Sequence, residues 1–480
     1  MSEKNRFKKV MSSTDILVVA FGAMIGWGWV VSSGRWIQNA GVVGTVIGFI
    51  IGGIMIYFVG MTYAELTPAM PKVGGEHVFS HKAFGPTGSF ICTWALILSY
   101  IGVVCFEAVS LPTIISYIFP SFNQVYLYSV AGSDVYLTGV ILASVCTIGI
   151  IAINILGIKA ASIFQTVLTI AIAVVGVILV VASAINGEPS NLENQVIVGE
   201  GFGSIKNILS VAVVAPFFLF GFDVIPQVAE EINIPLKKVA RILLLSIICA
   251  VGFYGLVVLA VGYALNTNDI NEAMQGAGLV TATAMEKVFN STVMAKVLIV
   301  GGLCGVVTSW NSFLIGGSRA IFSMAESRMI PGRFSVLHPK KKTPVNALLL
   351  IGVLSLAAPF FGRTMLVWIS DAASFACCLA YCMVAMSFLI LRKKEPELSR
   401  PFKVKHYRFV GIMATVLSGL MVVLYLIPGS GCSMTVEEWI MVGGWAILGL
   451  VFYLICKRHY GDKFGQMDTH VKAASTPSKK

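Results

Sequence analysis

The amino-acid sequence predicts an all-α polytopic membrane protein with about twelve transmembrane helices. Apolar residues make up 57% of the chain and charged residues 12%, against roughly 45–50% and about 25% in typical soluble domains. The apolar residues also fall in long, nearly uncharged blocks, and a helix of about twenty such residues spans a hydrocarbon core about 30 Å thick. Because lipid offers no hydrogen bonds to the backbone, we expect each block to be a helix.

Twelve blocks of this kind follow one another along the chain, and the ninth is the shortest. The spans are expected near Thr14–Ile37, Val42–Tyr63, Thr87–Phe119, Val135–Leu156, Lys159–Ile185, Asn207–Val228, Val239–Leu265, Thr292–Ala325, Pro344–Phe361, Thr364–Leu391, Arg408–Ile427 and Glu437–Cys456.

The net charge of +11 is divided unevenly between the loops. Lys and Arg are concentrated in alternate loops, and the loops between those are poor in both residues. An excess of Lys and Arg marks the cytoplasmic side of a membrane protein. We therefore expect the basic side and both termini to be cytoplasmic, in a cell membrane, and we interpret the charge as a topology signal, not as a nucleic-acid-binding surface. The basic clusters lie at Lys4–Lys9, Lys237–Arg241, Arg328–Lys342, Arg392–Lys405 and from Lys457 onward.

Two spans are interrupted by glycine and polar residues. Residues 21–30 of the first span read FGAMIGWGWV, and residues 216–226 of the sixth read PFFLFGFDVIP. The two spans are five apart, so they run in opposite directions at matching positions of two five-helix halves. Interrupted spans at matching positions are typical of transporters built from inverted repeats.

A helix broken at mid-membrane leaves backbone N–H and C=O groups free, which is tolerated where they line a cavity. The N-terminal end of a half-helix favours a carboxylate, and the opposite end favours a cation. A zwitterionic amino acid presents both groups. The alternative is that Gly26 and Gly28 only allow close helix packing.

At this point the sequence resembles the amino acid–polyamine–organocation (APC) superfamily, on four segments in register between about Ser12 and Pro401. The segments are Ile25–Gly28; Tyr63–Leu66 with Pro71–Glu76 and Phe84–Pro86; Phe220–Asp223 with Glu230–Pro235; and Ser318-Arg319 with Ala325, Pro331, His338–Lys340 and Thr343-Pro344.

The resemblance implies a leucine-transporter-like core of ten helices in two inverted repeats, followed by two C-terminal helices. It also implies secondary transport of amino acids or amines by proton symport or exchange, through rocking of a bundle against a scaffold. The expected units are an N-terminus (1–13), a first repeat with helices 1–5 (14–185), a second repeat with helices 6–10 (207–391), helices 11 and 12 (408–456) and a cytoplasmic tail (457–480).

The same resemblance assigns the two breaks to the substrate. The backbone of Ile25, Gly26, Trp27 and Gly28 would hold its carboxylate, and carbonyl groups near Phe220, Gly221 and Phe222 would receive its amino group. An aromatic residue at the sixth-helix break closes over the substrate in this family. Phe220 and Phe222 are both candidates, and the alternative for Phe222 is ordinary packing.

Two acids inside spans are candidate site residues, because a charge there costs about 2.5–3.5 kcal/mol on insertion scales and needs a reason. Glu107 lies midway along the third span and is a candidate to pair with a substrate ammonium or to carry a proton; its alternative is a protonated acid bonded to nearby backbone. Asp223 follows the sixth-span break and has the same candidate roles. Its alternative is structural, as an acceptor for the N–H groups that the break frees.

Lys159 opens the fifth span, in the stretch NILGIK. In sodium-independent members of the superfamily a matching lysine puts its ammonium where sodium-coupled members bind the ion, so the resemblance implies transport without sodium. Lysine also titrates when it is desolvated. The alternative is a lysine that extends to the membrane interface.

One position departs from the cationic amino acid branch of the superfamily. That branch carries an acid where this chain has Ser99, so the sequence does not predict a cationic substrate directly. Glu107, about two turns further along, is the candidate replacement.

Five charged residues lie at predicted cytoplasmic span ends. They either form ion pairs that close the inward side or remain solvated loop charges. They are Glu65, Glu76, Glu230, Glu231 and Arg319.

Rival functions remain open at this stage. A polyamine or other organic amine carrier and a non-transporting amino-acid sensor would use the same pocket. An intramembrane enzyme needs a nucleophile and base, or metal ligands, at membrane depth. We expect no enzyme, metal or cofactor, because every histidine falls in a predicted loop or in the tail: His77, His81, His338, His406, His459 and His470.

Overall fold

The computed structural model describes residues 7–276, 278–428 and 433–467. Over these residues ten helices are long and apolar enough to cross a membrane, and two shorter apolar helices, Phe202–Phe218 and Val345–Phe361, lie at the sixth and ninth predicted spans. The prediction of an all-α polytopic membrane protein is therefore confirmed. The first six residues and the tail from 468 onward, including His470, lie outside the described residues.

The first half of the chain forms helices that follow the predicted spans closely. The first predicted span is divided into three pieces, and the sixth ends early. The helices are α1 (Ser13–Met24), α2 (Gly28–Val31), α3 (Ser33–Ala40), α4 (Val42–Ala69), α5 (Glu76–Ile118), α6 (Leu137–Leu156), α7 (Ile158–Asn186), α8 (Phe202–Phe218) and α9 (Val224–Gln227).

The second half continues with longer spans and two additional helices in the loop between the seventh and eighth spans. The sequence reasoning had not distinguished this pair from the loop. The helices are α10 (Leu236–Ala264), α11 (Thr267–Gln275), α12 (Val280–Phe289), α13 (Thr292–Glu326), α14 (Val345–Ala357), α15 (Met365–Lys394), α16 (Tyr407–Leu426) and α17 (Val436–Tyr460).

Two boundaries differ from the predicted ones for a local reason. A hairpin of β1 (Tyr126–Val130) and β2 (Ser133–Tyr136) precedes α6, so Val135 lies in a strand. Helix α5 begins eleven residues before the predicted Thr87, with a kink at Gly85, whose φ of +77° glycine adopts easily.

The long helix α5 lies at the centre of the bundle, packed against α13 and α15, while α4 packs against α8 and α10. Helix α17 is peripheral, since most of its residues are exposed or half-buried. Both breaks lie inside the protein, since residues 219–223 and most of residues 22–27 are buried, whereas much of α8 is at the surface. The assignment of residues 14–185 and 207–391 to inverted repeats stays a prediction.

One end of the bundle, which we call the basic end, is where α1 begins and α4 ends. Here a parallel bridge joins Met11 to Ile232, Arg392 donates to the Glu65 carboxylate at 2.6 Å, and His77 contacts the Ser327 hydroxyl at 2.8 Å. Elements from the whole length of the chain therefore meet at this end.

Candidate functional site

The first predicted break is present. Helix α1 ends at Met24, and α2 begins at Gly28, so residues 25–27 lie between two helical pieces. A Cβ atom on Gly305 of α13 would come within 2.8 Å of the carbonyl oxygens of Ile25 and Gly26. The absence of a side chain at Gly305 therefore lets α13 lie directly against the broken backbone.

The second predicted break is present as well. Helix α8 ends at Phe218, and α9 begins at Val224. Between them Gly221 has a φ of +130°, and a Cβ atom there would lie 2.5 Å from the Ala23 Cβ. Glycine is therefore needed for both the backbone conformation and the close approach, and the two breaks touch each other.

The Asp223 carboxylate holds the second break in place. It accepts hydrogen bonds from the Gly221 N–H at 2.9 Å, the Tyr100 hydroxyl at 2.6 Å and the Tyr381 hydroxyl at 2.8 Å. These donors fix the freed backbone to α5 and α15. Asp223 therefore holds the backbone of the second break in position. Direct contact between Asp223 and a substrate stays a prediction.

The Glu107 carboxyl faces the first break. Its Oε1 lies 3.1 Å from the position that a Cβ on Gly26 would take, and Ser309 of α13 lies 3.8 Å from the same point. Glu107 is 3% exposed, and within the described part of the chain its Oε2 has no hydrogen-bond partner. A buried carboxyl oxygen without a partner is available to a ligand ammonium or to a proton.

Tyr254 of α10 was not predicted from the sequence. Its hydroxyl donates to the Met24 carbonyl at 3.0 Å, which is one of the C-terminal carbonyls that a helix leaves without an intrahelical partner. A tyrosine in an apolar span gave no signal of this role. Ser309 could have been noticed as one of several polar residues inside the eighth span.

The two candidate gate aromatics have different surroundings. Phe222 is fully buried, with its ring 5.3 Å from those of Tyr63 and Tyr381. Phe220 borders a void no larger than about one water molecule, which is lined otherwise by residues of α4, α8, α15 and α16. Its ring meets Tyr381 edge-on at 5.4 Å. This void is too small to take up the ring of Phe220, so both aromatics are packed in this structure.

Lys159 does not lie at the breaks. Its Nζ contacts the Asp15 carboxylate at 3.1 Å, and its side chain is 54% exposed. Asp15 is in the first turn of α1, where it forms a capping box with Ser12. Ten residues of helix separate Asp15 from Ile25, or about 15 Å at 1.5 Å per residue. Lys159 thus anchors the start of α1 to α7.

Buried amide side chains occupy the junction of α1, α6, α7 and α13. Gln165 donates to the carbonyls of Val18 at 3.3 Å and Thr308 at 3.1 Å. Asn311 donates to Gln165 at 2.8 Å, and Asn154 donates to Asn311 at 2.8 Å. Polar residues inside spans are a recognisable sequence signal, but the sequence reasoning did not assign these three amides.

Ion pairs close the basic end. Arg319 donates to the Glu231 carboxylate at 2.8 and 3.3 Å, with both side chains buried. The Glu231 carbonyl accepts the N–H groups of Val10 and Met11. Burial raises the pKa of the Glu231 carboxyl above its ordinary value, and the Arg319 guanidinium opposes that shift. Of the five predicted charges, Glu231 and Arg319 form a pair.

The other predicted charges have different partners. Glu65 binds Arg392, and it also contacts Arg400 at 3.0 Å. Glu230 accepts the Val73 N–H at 3.4 Å. Over the described residues, no group of three or more His, Cys, Asp or Glu side chains is arranged to hold a metal ion.

Comparison with known proteins places this architecture in a family. The chain is 26% identical over 477 residues to the branched-chain amino acid permease BcaP of Bacillus subtilis (strain 168), covering 96% of this chain and 95% of that protein. It is 25% identical over 464 residues to the methylthioribose transporter of the same organism, covering 95% of each. It is 24% identical over 428 residues to the aspartate-proton symporter of that organism, covering 88% of this chain and 80% of that protein. Residues 12–452 match the model of the amino acid permease family, and the chain belongs to that family.

Proposed function

We propose that this protein is a secondary transporter that carries an amino acid across a cell membrane without sodium, by proton symport or by exchange. The observation that carries the proposal is the contact between two broken helices at Gly221 and Ala23, together with Glu107 at Gly26, whose Oε2 has no hydrogen-bond partner among the described residues. A solute with one carboxylate and one ammonium matches this combination of backbone dipoles and a buried acid.

The substrate carboxylate is assigned to the first break. The first N–H groups of a helix have no intrahelical partner and carry partial positive charge. The N–H groups of Gly26, Trp27 and Gly28 would bind the anionic group. Gly26 and Gly28 are both half-buried. The Phe218 ring lies against Gly28 and the Glu107 carboxyl lies against Gly26, so these two side chains border the approach.

The substrate amino group is assigned to Glu107 together with the carbonyl groups of residues 220–222. Glu107 would either pair with the ammonium or carry the coupled proton. Asp223 would support binding by holding the second break, and Phe220 and Phe222, which both pack against Tyr381, are the gate candidates.

We also propose a coupling ion for transport and an orientation of the protein in the membrane. Transport without sodium is proposed from the lysine that matches sodium-independent relatives, Lys159, whose ammonium pairs with Asp15 at the start of α1. A relative named as an aspartate-proton symporter makes a proton the favoured coupling ion. The basic end would face the cytoplasm, as the loop charges predict.

A carrier of a polyamine or another organic amine is the second candidate. Glu107 favours it, because an acid facing the break would bind an ammonium even if the substrate had no carboxylate. The methylthioribose transporter among the relatives is consistent with substrates other than amino acids in this family. A sensor that binds without transport is the third candidate.

Uptake into proteoliposomes separates these candidates. The purified protein is reconstituted and offered radiolabelled amino acids and amines, with the pH and sodium gradients imposed independently. We expect uptake of an amino acid that an inward proton gradient or a preloaded amino acid accelerates, with no effect of sodium. Uptake of amines alone would favour the second candidate, and binding without uptake the third. Sodium-dependent uptake would contradict the role given to Lys159.

A further inference from the structure

A second group of buried polar atoms lies between the substrate site and the basic end, at the start of α5. It consists of Glu76 of α5, Gln227 of α9 and Tyr63 of α4, and all three side chains are fully buried. The amide nitrogen of Gln227 donates to Glu76 Oε2. We call this group the Glu76 cluster. It has no part in the substrate binding described above.

The cluster has more acceptors than donors. Within the part of the chain that the structure describes, Glu76 Oε1, Gln227 Oε1 and the Tyr63 hydroxyl form no hydrogen bond of good geometry. Buried polar atoms in native proteins are nearly always paired. A proton on Glu76 converts its free oxygen into a donor and supplies part of what the cluster lacks.

Asp223 directly precedes α9, and Gln227 at the end of α9 donates to Glu76, so the two carboxyls are neighbours whose charges interact. Two neighbouring buried carboxyls cannot both be ionised cheaply, so one of them holds a proton. Asp223 accepts three hydrogen bonds of good geometry, whereas Glu76 accepts one, from Gln227, and a weaker one from the Tyr63 hydroxyl. Hydrogen-bond donors stabilise the ionised form, so the proton belongs on Glu76.

The other titratable groups that act on Glu76 are neutral at ordinary pH. They are Tyr63 of α4, and Tyr100 and Cys92 of α5 itself. The adjacent His77 side chain instead contacts Thr93 and Ser327. None of the groups that act most strongly on Glu76 is a cation. None of these groups would offset the second negative charge if Glu76 and Asp223 were both ionised.

The position of the cluster links it to the closing of the basic end. A Cβ atom on Gly75 would lie 2.4 Å from the Pro226 Cβ, and the Gly74 N–H donates to the Gln227 carbonyl at 3.4 Å. The start of α5 is therefore pressed against α9. If these segments separate, Glu76 loses the Gln227 bond and gains access to water, which stabilises the ionised form.

We infer that Glu76 is a proton-binding site, which holds a proton while the basic end is closed and releases it when α9 separates from the start of α5. This inference deepens the proposed proton-linked transport and rests on it for its role in the transport cycle. The presence of the proton in the closed state does not depend on transport, because it rests on the burial of Glu76, its few donors and the neighbouring Asp223 carboxyl.

Infrared spectroscopy of the purified full-length protein tests the presence of the proton without any substrate. A carboxylic acid and a carboxylate absorb at different frequencies. The difference spectrum between the wild type and Glu76→Gln should show the loss of one carboxylic acid band. Loss of a carboxylate band instead would overturn the inference. If Glu76→Gln does not fold, Glu76→Asp takes its place, and the acid band should shift and persist.

Transport in proteoliposomes tests the release of the proton. Glu76→Gln mimics the protonated acid, so exchange of internal for external substrate at equal pH should continue within about twofold of the wild type. Its net uptake should no longer respond to an imposed pH gradient. Glu438→Gln is the matched control, because Glu438 is also buried but lies at the start of α17, and it should retain the response.

The failures of the two proposals are distinguishable. A protein that transports, and whose Glu76→Gln variant keeps the wild-type response to the pH gradient, retains its proposed function and loses this inference. A protein that transports nothing, yet loses the acid band in Glu76→Gln, keeps the protonated Glu76 and loses the proposed function.

Discussion

At the scale of single residues, the two acids beside the breaks differ in how many protein groups bind them. Asp223 accepts three hydrogen bonds from protein groups, whereas one oxygen of Glu107 has no partner within the described residues. The Asp223 carboxylate is therefore occupied by protein donors, whereas Glu107 Oε2 is available to a ligand or a proton. A substitution of Glu107 should therefore affect transport more than stability, and the loss of a donor to Asp223 should lower stability.

We predict that Glu107→Gln weakens substrate binding without unfolding the protein. A hydrogen bond to a charged group contributes about 1.5–3 kcal/mol, so the apparent KM should rise by about tenfold or more, and the dependence of uptake on pH should change. The measurement is uptake over a range of substrate concentrations and pH. Glu272→Gln, in α11, is the control. Unchanged affinity and pH dependence would contradict the role given to Glu107.

The substitution Tyr100→Phe should instead lower stability. It removes one hydrogen bond to the buried Asp223 carboxylate, which is expected to cost about 1.5–3 kcal/mol. Thermal unfolding in detergent should show a lower Tm. Tyr126→Phe, at an exposed tyrosine of β1, is the control and should leave the Tm unchanged. Equal Tm values for the two variants would show that the Tyr100 bond does not hold the break.

At the scale of helices, the breaks depend on glycine in two different ways. Gly26 leaves space for the Glu107 carboxyl, whereas Gly221 adopts a backbone conformation with positive φ and lies against Ala23. The sequence shows both as glycine within an apolar span. The distinction between them depends on the neighbouring helix.

Gly221→Ala should abolish transport and destabilise the protein. A side chain at a φ of +130° is strained by about 1–3 kcal/mol, and its Cβ would also overlap Ala23. Uptake and detergent Tm are the measurements. Gly252→Ala in α10 is the matched control, since a Cβ there meets nothing within 4 Å. Wild-type uptake by Gly221→Ala would mean that the contact between the breaks is not required.

At the scale of the whole molecule, residues distant in the chain meet at the basic end. Glu231 joins the N-terminal segment, through the Val10 and Met11 N–H groups, to Arg319 of α13. This pair is buried, so its two charges depend on each other and not on water.

Arg319→Met should destabilise the closed state, because it leaves the Glu231 carboxylate buried without its partner at a cost of about 3–5 kcal/mol. Burial raises the pKa of Glu231, and losing the guanidinium raises this pKa further. The folded state then binds its proton more tightly than the unfolded state, so the loss of Tm should be larger at about pH 8 than at about pH 5.

The double variant Arg319→Met with Glu231→Gln controls for the missing side chain. It removes the unpaired charge and should recover part of the Tm with little dependence on pH. A pH-independent loss in the single variant would exclude an unpaired Glu231 charge as its cause.

Much of the fold was predictable because the length of each apolar run and the position of each charge are read directly from the sequence. Runs of apolar residues specified the spans to within a few residues at most ends, and Gly26, Gly28 and Gly221 marked both breaks. The β1–β2 hairpin and the pair α11 and α12 were not predicted, because short elements in polar loops have no such signal. The candidate site was only partly predictable: Glu107 was identified as an intramembrane acid, but its direction was not.

The sequence by itself determined that this chain is a polytopic helical membrane protein with two interrupted spans, because the cost of placing charge and unpaired backbone in lipid acts on each segment separately. The tertiary structure decided which groups meet. It turned Glu107 toward Gly26, gave Asp223 its donors from Tyr100 and Tyr381, paired Lys159 with Asp15 and brought Gln227 to Glu76. Those contacts join residues far apart in the chain and depend on how each helix is rotated against its neighbours, which hydrophobicity alone does not specify.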